Sequence, residues 1–196
     1  MLENRYLALH FADGVLRATN RLSGTVTDFS LPGFGLVLGG TELSGADFAM
    51  SGPRLQAGGA VLSGRNEDTG IEVQVNYTLA EDEPWFRKQL LLRAPGALPT
   101  PDRLIVHAEE RPPQPVRRVG YGLRGGPHAE EQQGLDTYVP QPGCGYPVWA
   151  GEWFLGVEHP AAFTVPGARL ELYHHPVWED GAITSFAAVF GVARSH

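Results

Sequence analysis

From Gly145 to Pro160 the chain reads GYPVWAGEWFLGVEHP, a run that brings Tyr146, Trp149, Trp153, Phe154, Glu158 and His159 together. Aromatic rings stack on the apolar C–H faces of sugars, while neighbouring carboxylates and amides bind hydroxyls. Tyr146, Trp149, Trp153, Glu158 and His159 are therefore candidates for a carbohydrate-binding or domain-contact surface, with Trp149 and Trp153 the strongest ligand candidates. The competing reading is packing. On a strand, Trp153, Leu155 and Val157 share one face and fill a core, leaving Phe154 at an edge or a domain contact. Glu158 follows an apolar strand, so it is either a carboxylate with acid/base character or one paired to an arginine such as Arg117, Arg118 or Arg124.

The other reactive residue types carry weaker signals. His107, His128, His159, His174 and His175 invite a metal reading. However, neighbouring side chains on a strand point to opposite faces, which separates His174 from His175, and no H-x-H or H-E-x-x-H spacing occurs. No metal site and no cofactor are expected. Cys144 lies in the tight turn PGCGYP without a recognisable His and Asp arrangement, and the glycine-rich pieces LPGFGLVLGG and GYGLRGG lack the helix and lysine of a phosphate cradle.

The elements that must position these groups are strands. In IEVQVNYTL, Ile71, Val73, Val75, Tyr77 and Leu79 alternate with polar residues, the period of a half-buried antiparallel strand. RYLALHF, the ADG turn at 12–14 and VLRATNRL predict an N-terminal hairpin. Further strands are expected at TVTDFSL, FGLVL, ADFAMSG, RLQAGGAVLSG, WFRKQLLLRA, RLIVHAEE, WFLGVEHP, RLELYHH and ITSFAAVFGV. In WFRKQLLLRA, Arg87 and Lys88 are read as the basic outer face of an edge-to-core strand. No stretch shows a capped apolar stripe of helical period, so a (β/α)8 barrel or nucleotide-binding sheet is not encoded here. Residues 110–145, rich in Pro, Gly and charge, read as a loop excursion within a single all-β domain spanning 1–196. The chain ends just after an apolar strand, which points to a natural product that continues past His196.

Composition narrows the partners. Hydrophobic residues at 42%, with Gly 25 and Pro 16, suit short strands joined by turns, and a net charge of −7 argues against nucleic acid. The single cysteine excludes an internal disulfide and makes reduced cytoplasm the expected compartment. No window has the roughly 18 apolar residues of a membrane helix, and the N-terminus lacks a signal pattern. Lys88 is the only lysine, which reads as a coding bias toward arginine.

IEVQVNYTLAEDEPWFRKQLLLRA, then RLIVHAEE, then a Gly-Pro turn into GYPVWAGEWFLGVEHPAA form an ordered set. The set resembles the N-terminal β-supersandwich domain of large bacterial α-galactosidase-type glycoside hydrolases, in the galactose-mutarotase-like superfamily. Gly145–Pro160 and PWFRK at 84–88 carry most of the likeness. The resemblance implies a large antiparallel β-sandwich, itself noncatalytic, that contacts carbohydrate such as a galactoside, or a (β/α)8 catalytic domain holding two acidic residues. Mutarotases of the same superfamily imply an alternative, an aldose 1-epimerase in which His107 or His159 and Glu158 exchange protons with a sugar. A protein-interaction sandwich is the third expectation.

Overall fold

The computed structural model describes residues 1–96, 99–118, 143–144, 147–166 and 168–192. In chain order the strands are β1 (Leu2–Glu3), β2 (Leu7–Ala12), β3 (Val15–Asn20), β4 (Val26–Ser30), β5 (Gly35–Leu38), β6 (Thr41–Ser44), β7 (Ala49–Gln56), β8 (Gly59–Arg65), β9 (Glu72–Leu79) and β10 (Trp85–Arg93). They continue with β11 (Arg103–Glu109), β12 (Val116–Arg118), β13 (Gly143–Cys144), β14 (Val148–Ala150), β15 (Trp153–Val157), β16 (Phe163–Val165), β17 (Leu170–His174), β18 (Ala182–Thr184) and β19 (Ala188–Val192). A 3-10 turn, Gly45–Asp47, separates β6 from β7. The protein is an all-β sandwich of antiparallel sheets. No helix among the described residues is long and apolar enough to cross a membrane.

Among the described residues, three sheets make two layers. The nine-stranded sheet runs β12-β14-β15-β19-β10-β9-β8-β7, with β18 also paired to β10. A four-stranded sheet, β1-β2-β3-β4, and a six-stranded sheet, β13-β16-β17-β11-β5-β6, both pack on its inner face. Period-two patterning decides which residues meet there. On β9, Val73, Val75, Tyr77 and Leu79 are buried, and on β10 Phe86, Lys88, Leu90 and Leu92 are. The centre of the seam is aromatic, and its rings adopt the stacked and edge-on arrangements that such pairs prefer. Phe86 stacks on Phe190 at 4.6 Å, and Phe29 of β4 makes edge contacts with Trp153 at 5.2 Å and Phe190 at 5.3 Å.

Several expected strands change shape. RLQAGGAVLSG turns at Gly58, whose φ of 68° suits glycine, and so divides between β7 and β8. ITSFAAVFGV divides between β18 and β19, which both pair with β10. The ADG turn closes β2 onto β3, with Asp13 and Gly14 both at positive φ, as a tight hairpin of this hand requires. WFRKQLLLRA is a central strand rather than an edge, and of Arg87 and Lys88 only Arg87 faces out. Lys88 lies in phase with Phe86 and Leu90, so the expected basic pair on the outer face is corrected to a single cation. Of the expected excursion at 110–145, residues 119–142 and 145 lie outside the described residues. β12 and β13 stand at either end of 119–142.

Candidate functional site

On the outer face of the nine-stranded sheet, register sets a row of aromatic side chains. Trp149 pairs with Phe154, Phe154 with Gly191, and Gly191 with Trp85, so the four residues lie on one line across β14, β15, β19 and β10. Directly paired residues in antiparallel strands share a face. The Trp149 and Phe154 rings meet edge-on at 5.8 Å. Three strand spacings from β14 to β10 make the row about 14 Å long, enough for a short oligosaccharide.

Gly191 is what leaves room for Phe154. A Cβ at 191 would overlap the Phe154 ring, so only glycine lets that ring lie across β19 toward Trp85. Two pairs further along, and so on the same face, Gly156, Val189 and Arg87 form the next line. Pro147 backs onto Gly156, where a Cβ would come 3.2 Å from the proline ring. Trp85, Pro147, Phe154, Gly156, Glu158 and Val189 are among the residues that line an open cleft of about 330 Å³.

The polar rim is charged. Arg87 Nε donates to Glu158 Oε1 at 2.9 Å and to Oε2 at 3.2 Å, and its Nη1 donates to Glu83. The Arg87 guanidinium also lies 5.8 Å from the Trp85 ring centroid, within reach of a cation–π attraction. The bond to Glu83, followed by that to Glu158, holds the Arg87 pKa above its ordinary value, so the guanidinium is a fixed cation between two carboxylates. Such a rim offers both donors and acceptors to hydroxyl groups, beside apolar rings that suit C–H faces.

The residues singled out from sequence divide between the two faces. Trp149 and Glu158 come to the outer face, and Glu158 finds its arginine in Arg87, which strand pairing brings across from β10. Trp153 goes inward. It is fully buried, and its indole N–H donates to Thr27 Oγ1 at 2.9 Å, so it cannot serve as a surface platform for a sugar ring. His107 is also buried, edge-on to Phe190 at 4.8 Å. The sheet therefore stands between His107 and Glu158, and the two cannot flank one sugar. His159 stacks on Phe186 at 3.8 Å, away from the aromatic row, and its Nδ1 accepts from the Ala161 N–H. Tyr146, Arg124 and His128 lie outside the described residues.

His174 and His175 alternate as the strand period requires, one buried and one exposed. Burial pushes the His174 imidazole down to about 4. Among the described residues, no three His, Cys, Asp or Glu side chains are grouped as metal ligands would be. Residue types and spacing do not single out Trp85, Arg87 or Gly191 as members of the site. Their approach to Phe154 depends on β19, formed far along the chain from Trp85, inserting between β10 and β15. Compared with known proteins, the sequence matches no family model and no curated protein.

Proposed function

We propose that this chain is a noncatalytic β-sandwich module that binds carbohydrate, a galactoside being the first candidate, through the row Trp149, Phe154 and Trp85. The observation that carries the reading is the outer-face cleft, where half-buried rings stand beside the Arg87–Glu158 pair. Sugar sites need this combination of apolar platform and fixed polar groups. The resemblance of Gly145–Pro160 and PWFRK to the leading sandwich of α-galactosidase-type glycoside hydrolases supports a place in such an enzyme, beside a (β/α)8 catalytic domain. In that setting the cleft lends subsites to a neighbouring active centre.

A ¹H NMR titration of the chain with galactose, glucose and a galactosyl disaccharide tests this, following line broadening and the anomer exchange rate together. Saturable broadening of sugar signals that weakens in Trp85→Ala, with unchanged anomer exchange, is the expected result. Faster exchange abolished in Glu158→Gln would establish an epimerase instead. No broadening at any sugar would overturn carbohydrate binding and leave the cleft as a protein contact.

A further inference from the structure

The only lysine of the chain is buried where the two layers meet. Lys88 Nζ donates to the Gly33 carbonyl at 2.7 Å and lies 3.4 Å from His107 Nδ1. Two rings lie nearby, with the Phe34 centroid at 5.9 Å and that of Tyr77 at 6.0 Å. An ammonium group has three N–H donors, whereas a neutral amine has two. Gly33 O accepts from Lys88, and His107 Nδ1 suits the neutral amine in either tautomer, as an acceptor or as a donor to its lone pair, whereas the three donors of the cation have at most these two acceptors among the contacts of the described residues.

Among the described residues, the charged and titratable groups around Lys88 are few. From β11 come His107 and, beyond it, Glu109, whose Oε2 lies 3.7 Å from His107 Nε2 and accepts from the Ser30 N–H at 2.9 Å. From β9 comes Tyr77, whose hydroxyl contacts Leu31 O at 3.4 Å and which burial keeps un-ionised. β4 and β19 contribute the uncharged rings of Phe29 and Phe190 to the same pocket through their contacts with His107. Glu110, further along, acts on Glu109. Burial keeps His107 neutral, so its contact with Glu109 is not an ion pair, and burial also raises the Glu109 pKa.

We propose that Lys88, His107 and Glu109 form a proton-operated latch between the two layers: the protonated lysine puts an imperfectly matched charge in the seam and loosens it, and loss of that proton closes it. The atoms balance simply. Lys88 –NH3⁺ releases one proton to solvent and becomes –NH2, keeping its bonds to Gly33 O and His107 Nδ1. Burial lowers the Lys88 pKa to about 7 from an ordinary 10.5, against the opposing pull of Glu109. Between those two pH values the unfolded chain holds a proton that the folded chain has lost. Stability from this group therefore rises with pH across that window. Glu109, with its raised pKa, acts in the opposite sense at lower pH, since the folded chain holds its proton there longer.

Because there is one lysine, a chain labelled with ¹³C at lysine Cε gives one side-chain signal that reports Lys88 directly. A titration midpoint near 7 is expected. In urea unfolding between pH 7 and 10, the unfolding constant should fall by up to about tenfold per pH unit, and Lys88→Met should remove that dependence. A midpoint near the ordinary lysine value, or a pH dependence that survives in Lys88→Met, overturns the latch. If Lys88→Met does not fold, the Cε midpoint of the unaltered chain decides alone.

Discussion

Arg87 and Lys88 are chain neighbours that end on opposite faces of β10: Arg87 bonds Glu158 at the outer cleft, and Lys88 bonds Gly33 inside the sandwich. The same charge has opposite consequences on the two faces. Arg87 keeps water and two carboxylates, so its removal disturbs the fold little. Arg87→Ala should lower stability by no more than about 1 kcal/mol, the usual range for exposed ion pairs. It should weaken binding of the galactosyl disaccharide severalfold, because Glu83 and Glu158 are left as like charges on the rim. Thermal melts and the sugar titration run in parallel check this, and a large loss of stability would count against an exposed pair.

Gly191 gives a test of the aromatic row itself. Gly191→Ala drives a methyl into the Phe154 ring. The substitution should cost about 1–3 kcal/mol through overpacking. Adding Phe154→Ala should return most of that loss in urea unfolding while leaving sugar binding weak. If the double variant is no more stable than Gly191→Ala, the contact between the two residues is not the source of the cost.

Trp149 and Trp153, four residues apart, should respond in opposite ways. Trp153 is fully buried against Phe29 and Phe86. Trp153→Ala should therefore destabilise by about 3–5 kcal/mol. Trp149 is half-buried at the far end of the row. Trp149→Ala should cost far less stability and should instead reduce affinity for a disaccharide more than for galactose, since only the longer ligand reaches both ends. Denaturant unfolding and the NMR titration separate the two outcomes.

Glu152 ties the layers at the rim. Its Oε2 accepts from Ser23 Oγ at 2.6 Å and from Asn20 Nδ2 at 2.9 Å, joining the β14–β15 turn to the four-stranded sheet. The hydroxyl of Ser23 is the main reason its pKa lies below the ordinary carboxylate value. A depressed carboxylate contributes stability above its unfolded pKa and loses that contribution as pH falls through the folded one. Glu152→Gln should therefore be less stable than the unaltered chain at neutral pH, by no more than about 1 kcal/mol because solvent screens an exposed charge. The gap should narrow as the buffer is taken below pH 4.5. A gap that is constant from neutral to strongly acidic buffer would show that the charge plays no part.

The strands are legible in the sequence because alternation is a local property. Val73, Val75, Tyr77 and Leu79 announce their common face without reference to any partner, and β9 is observed with that face buried. The outer-face site, row and cleft together, is only half legible for the opposite reason. Trp149 and Glu158 stand out by type, but Phe154 and Trp85 become neighbours only through the pairing of β19 with both β15 and β10. At Lys88 residue type and strand phase conflict. In FRKQL the alternation set by Phe86 and Leu90 places position 88 inside, and the charge does not overrule it.

Burial of the sole lysine also governs how the folded chain meets reagents that seek primary amines. Lys88 is fully buried, so acylating dyes, aldehyde cross-linkers and enzymes that build isopeptide bonds on lysine find no side-chain amine on the surface. Covalent capture at Lys88 then proceeds only through molecules whose sheets have parted, and the rate of lysine acylation becomes a clock for opening of the sandwich.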